Sequence, residues 1–130
     1  MLATAEKKGA GTALRILLVE DHPEVAQAQA LLLRAIGYHV QVAGDGPTAV
    51  EMARSSLPDI AIVDIGLPGF DGYQVAESLR ADPSTAAIRL IALTAYGSPE
   101  DRQRAFRSGF ELHLVKPASL DQLRRALSAL

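Results

Sequence analysis

The chain contains no cysteine and no tryptophan, and its 130 residues include only three tyrosines and three phenylalanines. Without cysteine there are no disulfides and no thiol chemistry, which fits a reducing compartment, and the cytoplasm is the expected location. No apolar run approaches the roughly 20 residues a membrane-spanning helix needs, so no membrane is expected as a partner. Neither sign of charge dominates: 13 Lys and Arg against 15 Asp and Glu leave a net charge of −2, with no basic excess to suggest nucleic acid. The first twelve residues, MLATAEKKGAGT, lack the apolar segment of a secretion signal. They read as a flexible tail or linker ahead of one domain over residues 13–130. A composition 48% hydrophobic and 22% charged is ordinary for a globular domain. A chain of this size buries about two-thirds of its unfolded surface.

What is present is a set of short apolar runs that end in polar groups. Leu14 to Val19 runs into Glu20-Asp21, and Ile60 to Val63 into Asp64. Leu90 to Leu93 runs into Thr94, and Leu112 to Val115 into Lys116. Continuous apolar runs of this length suit strands buried on both faces. Tyr38 to Val42 is a further short strand with no polar group at its end, which suits an edge.

Helical patterns separate these strands. Val25, Ala28, Leu32, Ala35 and Ile36 recur at helical spacing between Pro23 and Gly37, where Pro fits a first turn and Gly a C-terminal cap. Asp45-Gly46-Pro47 opens a second helix with Ala49, Val50, Ala53 and Leu57 inward, stopped by Pro58-Asp59. Val75, Ala76 and Leu79 mark a third, ended by Asp82-Pro83. Ser98-Pro99-Glu100-Asp101 starts a fourth, which Gly109 closes; Ala105 and Phe106 are its candidates for packing. Arg102, Arg104 and Arg107 read as its solvated face. Ser119 and Gln122 form a capping box for a last helix with Leu120, Leu123, Leu127 and Leu130 inward.

Strands alternating with helices imply parallel pairing through right-handed crossovers. An open sheet of that kind binds its ligand beyond the carboxyl ends of the strands, where the polar groups lie. Each residue alone has a plainer reading: Asp64 as a loop acid, Glu20-Asp21 as a helix cap, Thr94 as a loop hydroxyl, Lys116 as a solvated lysine. His22 and His39 read as surface residues, with no second His at ligand spacing.

Taken in order, Glu20-Asp21, Asp64 with Leu67-Pro68 and Asp71-Gly72, Thr94-Ala95 and Lys116-Pro117 resemble the receiver domain of two-component response regulators. The resemblance implies an α/β, flavodoxin-like, doubly wound five-stranded parallel sheet, order 2-1-3-4-5, flanked by five helices. It implies that Asp64 is the phosphoacceptor, served by a phosphohistidine of a histidine kinase or phosphotransfer domain. Asp21, Asp64 and the backbone carbonyl of Gly66 would bind Mg²⁺, with Glu20 acting mainly through a metal-bound water. Lys116, Thr94 and Ala95 would bind the phosphoryl group. His113 stands where the family more often has a switching Tyr or Phe, and its charge would add sensitivity to pH. Gly66 and Tyr96 match the positions that tune dephosphorylation, Gly66 leaving water unshielded and Tyr96 partly covering it. The fourth helix, fifth strand and last helix would form the surface for a downstream protein.

Physical chemistry supports such a site independently. Two carboxylates about 5 Å apart repel by roughly 3 kcal/mol at an effective dielectric of 20. A cluster of acids therefore favours a hard, oxygen-seeking cation, and a compact lysine charge suits a phosphoryl oxygen. A Mg²⁺-dependent phosphatase with an Asp nucleophile needs a second Asp two residues on, where this chain has Gly66. A flavin module of the same fold needs a hydroxyl-rich phosphate loop, and Glu20-Asp21-His22-Pro23 would repel phosphate. A degenerate receiver acting only as a scaffold conflicts with the full set of polar residues. A transcription factor of the usual two-part kind is not expected; the chain is expected to be either a stand-alone receiver that signals by docking or a module of a hybrid sensor kinase, whose receivers the runs DIGLPGFDG and LVKP resemble.

Overall fold

Short runs such as Ile60-Ala61-Ile62-Val63, apolar at every position, are stable only when both faces are covered. The computed structural model, which describes residues 7–8 and 12–130, arranges them in that way. Strands β3 (Arg15–Val19), β4 (His39–Ala43), β5 (Ile60–Asp64), β6 (Arg89–Thr94) and β7 (Leu112–Val115) form one parallel sheet. Its order is β4-β3-β5-β6-β7, the predicted 2-1-3-4-5 when counted within the sheet. Two further strands, β1 (Lys7–Lys8) and β2 (Thr12–Ala13), pair antiparallel with each other. The rest of the expected tail over residues 1–12 lies outside the described residues.

Helices α1 (Pro23–Ala35), α2 (Gly46–Ser56), α3 (Gly72–Ala81), α4 (Pro99–Ser108) and α5 (Leu120–Ala129) complete the alternation. Alternate strand residues enter two cores. Leu17, Val19, Ala61, Val63, Leu90 and Ala92 pack with α2, α3 and α4. Ile16, Leu18, Ile60, Ile62, Ile91 and Leu93 pack with α1 and α5. Local chemistry sets the helix starts. Asp45, Ser98 and Ser119 accept from the amides of Thr48, Asp101 and Gln122, and Asp71 and Gln74 form a capping box at α3.

Three packing expectations are overturned. On α1 the buried residues are Ala26, Ala30 and Leu33, followed by Ile36, whereas Val25, Ala28, Leu32 and Ala35 face outward. Leu57 is half-exposed rather than inward, because it terminates α2 in the left-handed region at φ 47°. Phe106 is 75% exposed; the aromatic that enters the core is Phe110, beyond the turn at Gly109 (φ 113°). Arg104 also departs from a purely solvated role, stacking its guanidinium 3.9 Å from the ring centre of Tyr73.

Candidate functional site

The parallel ladders bring four strand ends to one edge. Val19 lies opposite Val63, Asp64 opposite Leu93 and Thr94 opposite Val115. Backbone bonds continue past the strands: Glu20 N–H to Ala43 O at 3.1 Å, Ile65 N–H to Leu93 O at 2.8 Å, Lys116 N–H to Thr94 O at 2.7 Å. Glu20, Asp64, Thr94 and Lys116 are therefore fixed at the edge by the sheet itself. Gly72 is required here by close approach, since a Cβ on it would lie 2.7 Å from both the carbonyl oxygen of Asp64 and Cα of Ile65. Leu67 is buried beneath the same loop.

Lys116 joins three strand ends. Its ammonium donates to Asp64 Oδ2 at 2.9 Å and to Glu20 Oε1 at 3.1 Å. The second oxygen of Asp64 accepts from the Gly66 amide at 3.0 Å. The second oxygen of Glu20, Oε2, accepts from the His22 amide at 3.1 Å and lies 3.0 Å from His22 Nδ1. Asp21 Oδ1 is enclosed, has no hydrogen-bond donor, and lies 3.4 Å from His22 Nδ1. Two buried carboxylates, Glu20 and Asp64, thus share one ammonium, and Asp21 beside them has no donor.

Electrostatics follow from that count. Burial works against the charge on Lys116, but its hydrogen bonds to Asp64 and Glu20 outweigh burial and hold the ammonium above its ordinary range. The hydrogen bond to Glu20, then the charge of Asp21, raises the His22 imidazole. His113 is half-buried on β7 with no partner for either ring nitrogen. Burial foremost, and then the Arg102 charge, push its pKa down.

Thr94 is buried, and its hydroxyl oxygen accepts from the Tyr96 amide at 3.1 Å. Ala95 and Tyr96 are exposed on the loop that follows. Glu20, Asp64 and Lys116 are in direct contact, Asp21 joins them through His22, Gly66 touches Asp64 through its amide, and Thr94 ends the neighbouring strand. Reasoning from sequence missed His22, whose ring turns onto the acids. The only signal was its adjacency to Glu20-Asp21.

A family model described as the response regulator receiver domain matches residues 16–128. The chain belongs to that family. Among curated relatives, the DNA-binding dual master transcriptional regulator RpaA of Synechocystis is 35% identical over 116 residues. That match covers 89% of this chain and 48% of RpaA, so the chain spans about half of that relative's length. Chemotaxis protein CheY4 of Vibrio cholerae superposes with a TM-score of 0.85 at 28% identity, covering 89% of this chain and 97% of CheY4. The receiver domain of sensor histidine kinase PA1611 of Pseudomonas aeruginosa superposes at 0.82 with 34% identity, covering 89% of this chain and 95% of that one. That structure has a magnesium ion coordinated in its active-site cleft. The general function of the family is that of a phosphorylation switch in two-component signalling.

Proposed function

We propose that Asp64 accepts the phosphoryl group, from a phosphohistidine of a histidine kinase or phosphotransfer domain, with Mg²⁺ beside it. The observation that carries this reading is the Lys116 ammonium held between Asp64 and Glu20, residues from the ends of different strands. The donors fit a hard divalent ion: the enclosed, donorless Asp21 Oδ1, the Asp64 carboxylate and the exposed loop at Gly66, whose carbonyl would join them in holding it. Glu20 would help to hold the ion indirectly. Mg²⁺ supplies positive charge between a carboxylate and a phosphoryl donor that otherwise repel.

The chain's own residues perform the transfer by position and charge. A carboxylate oxygen of Asp64 forms the P–O bond as the P–N bond of phosphohistidine breaks; the electron pair of that bond stays on the ring nitrogen, and the donor leaves as neutral imidazole, keeping the proton already on its other nitrogen. Lys116 exchanges its contact with Asp64 for one with a phosphoryl oxygen. Thr94 already accepts from Tyr96, so its own hydroxyl hydrogen is available to the phosphoryl group. That bond draws Thr94 and Ala95 inward, and His113 repositions its unpartnered ring in response.

The output surface is α4, β7 and α5, where Arg102 and Arg107 flank the exposed Phe106 on α4 and α5 adds the exposed Arg125, and its partner is a downstream protein. Nucleic acid and membrane make no contact with this domain, and the domain works in the cytoplasm. No helix among the described residues is long and apolar enough to cross a membrane. Gly66 in place of a second acid favours an acceptor over a turnover enzyme, with Gly66 and Tyr96 setting the hydrolysis rate of the aspartyl phosphate. The unit that does this is residues 13–130, and its likeness to the PA1611 receiver favours a module of a hybrid kinase.

Incubation with acetyl phosphate and Mg²⁺ should add one phosphoryl group to the wild type by intact mass, and none to Asp64→Asn. Labelling that survives this substitution, or that proceeds without a divalent ion, removes the reading.

A further inference from the structure

His22 occupies the N-cap position of α1, where a polar side chain ordinarily accepts from the helix amides; this one makes no capping bond. Its ring turns the other way, onto the acids. Nδ1 lies 3.0 Å from Glu20 Oε2 and 3.4 Å from Asp21 Oδ1, and the three residues each offer a ligand atom within 4.8 Å of the others. Adjacent ligands around an octahedral ion with bonds near 2.1 Å stand about 3 Å apart, close to the two distances from His22 Nδ1 to Glu20 and Asp21. Asp21 Oδ1, 3.4 Å from that ring nitrogen, is enclosed and has no donor of its own.

We infer that His22 Nδ1 becomes a direct ligand, with Asp21 and Glu20, when the ion in this site is a transition metal, and that the site thereby discriminates such ions from Mg²⁺. The inference rests on the divalent-ion site proposed above, adds a nitrogen to it, and brings Glu20 from an indirect role into direct contact. Mg²⁺ gives up its waters reluctantly and takes oxygen, so it leaves His22 outside a shell of waters. Ni²⁺, Co²⁺ and Zn²⁺ accept imidazole readily and exchange a water for it. The other two histidines stand elsewhere: His39 at the amino end of β4, and His113 within β7.

The test is calorimetric titration of the full chain with Mg²⁺ and, separately, Ni²⁺, for wild type, His22→Ala and the control His39→Ala. His22 is 67% exposed at its side chain and caps nothing, so His22→Ala keeps the fold, which circular dichroism verifies. The expected result is a loss of Ni²⁺ affinity of about tenfold or more in His22→Ala, with Mg²⁺ affinity within twofold and His39→Ala unchanged. Co²⁺-loaded wild type should also show a strongly shifted, exchangeable imidazole N–H in its proton NMR spectrum, absent from His22→Ala. Equal losses for both ions would mean that His22 merely positions the acids, and an unchanged Ni²⁺ affinity would mean that it binds nothing; either overturns the inference while leaving the Mg²⁺ site standing. A wild type that binds neither ion overturns the metal site itself.

Discussion

At the amino ends of the strands Arg15, Arg80 and Arg89 have settled partners, while at the carboxyl ends two buried carboxylates share one ammonium and a third has no donor. On the first side, Arg15 donates to the carbonyls of Ser56 and Leu57, and its amide donates to Asp59. Arg80 ties α3 to the carbonyls of Gly109, Ala86 and Ile88, and Arg89 pairs with Glu111 at 2.7 Å. On the second side, Lys116 divides its charge between Asp64 and Glu20, and Asp21 has no donor. The difference teaches where the molecule is finished and where it waits. A satisfied network holds the strands in register; an undersupplied one changes when a cation or a phosphoryl group arrives.

The sharpest way to break this comparison is Lys116→Ala. In metal-free protein it leaves buried Glu20 and Asp64 unpaired, and the expected loss in urea unfolding is about 3 kcal/mol. Saturating Mg²⁺ should recover much of that loss, since a divalent ion takes over the neutralising role. Arg80→Ala comes next, at about 2 kcal/mol, because it strips donors from three carbonyls. No divalent ion should restore it, and acetyl phosphate labelling of the folded variant should be unchanged. A Mg²⁺ rescue of equal size in the two variants would erase the distinction between the two ends.

Asp21→Asn should act in the opposite direction, raising metal-free stability by about 1 kcal/mol as one of three crowded charges disappears. The same variant should lose divalent-ion binding in calorimetry. The smallest effect belongs to the other end. Glu111 is held below the ordinary glutamate range, first by its hydrogen bond from Arg89, with burial opposing. The folded protein therefore keeps that charge to lower pH than the unfolded chain does. Its contribution is complete above the unfolded-chain pKa and vanishes as pH falls through the lowered one. Glu111→Gln should lower Tm at neutral pH by an amount worth less than about 1 kcal/mol, and the gap from wild type should close on acidification. A gap that widens toward acid would reverse the assignment.

Much of this architecture is legible in the chain because its signals are local. Parallel strands covered on both faces leave unbroken apolar runs, and Ser98 and Ser119 announce helix starts with their own side chains. The carboxyl-end rule then places Glu20, Asp64, Thr94 and Lys116 together before any coordinates. The misses have a common physical origin in choices made only by tertiary contact. The α1 segment carries Val25, Ala26, Ala28, Ala30, Leu31, Leu32 and Leu33, apolar nearly all round, so periodicity alone does not select Ala26, Ala30 and Leu33 as the inner face. Phe106 and Phe110 are equally aromatic, and only the reversal at Gly109 decides which is buried. His22 was hidden because a ring's direction is a rotamer, set here by neighbouring charges rather than by spacing.

The central claim is that the carboxylate of Asp64, not its neighbours, takes the phosphoryl group. It is tested most directly by phosphorylating the wild type with acetyl phosphate and Mg²⁺, reducing with borohydride, and sequencing the peptides by mass spectrometry. An aspartyl phosphate is reduced to homoserine, so homoserine at position 64 alone is the predicted result. Homoserine at position 21, a reduced glutamyl at position 20, or phosphate retained on a histidine would contradict it.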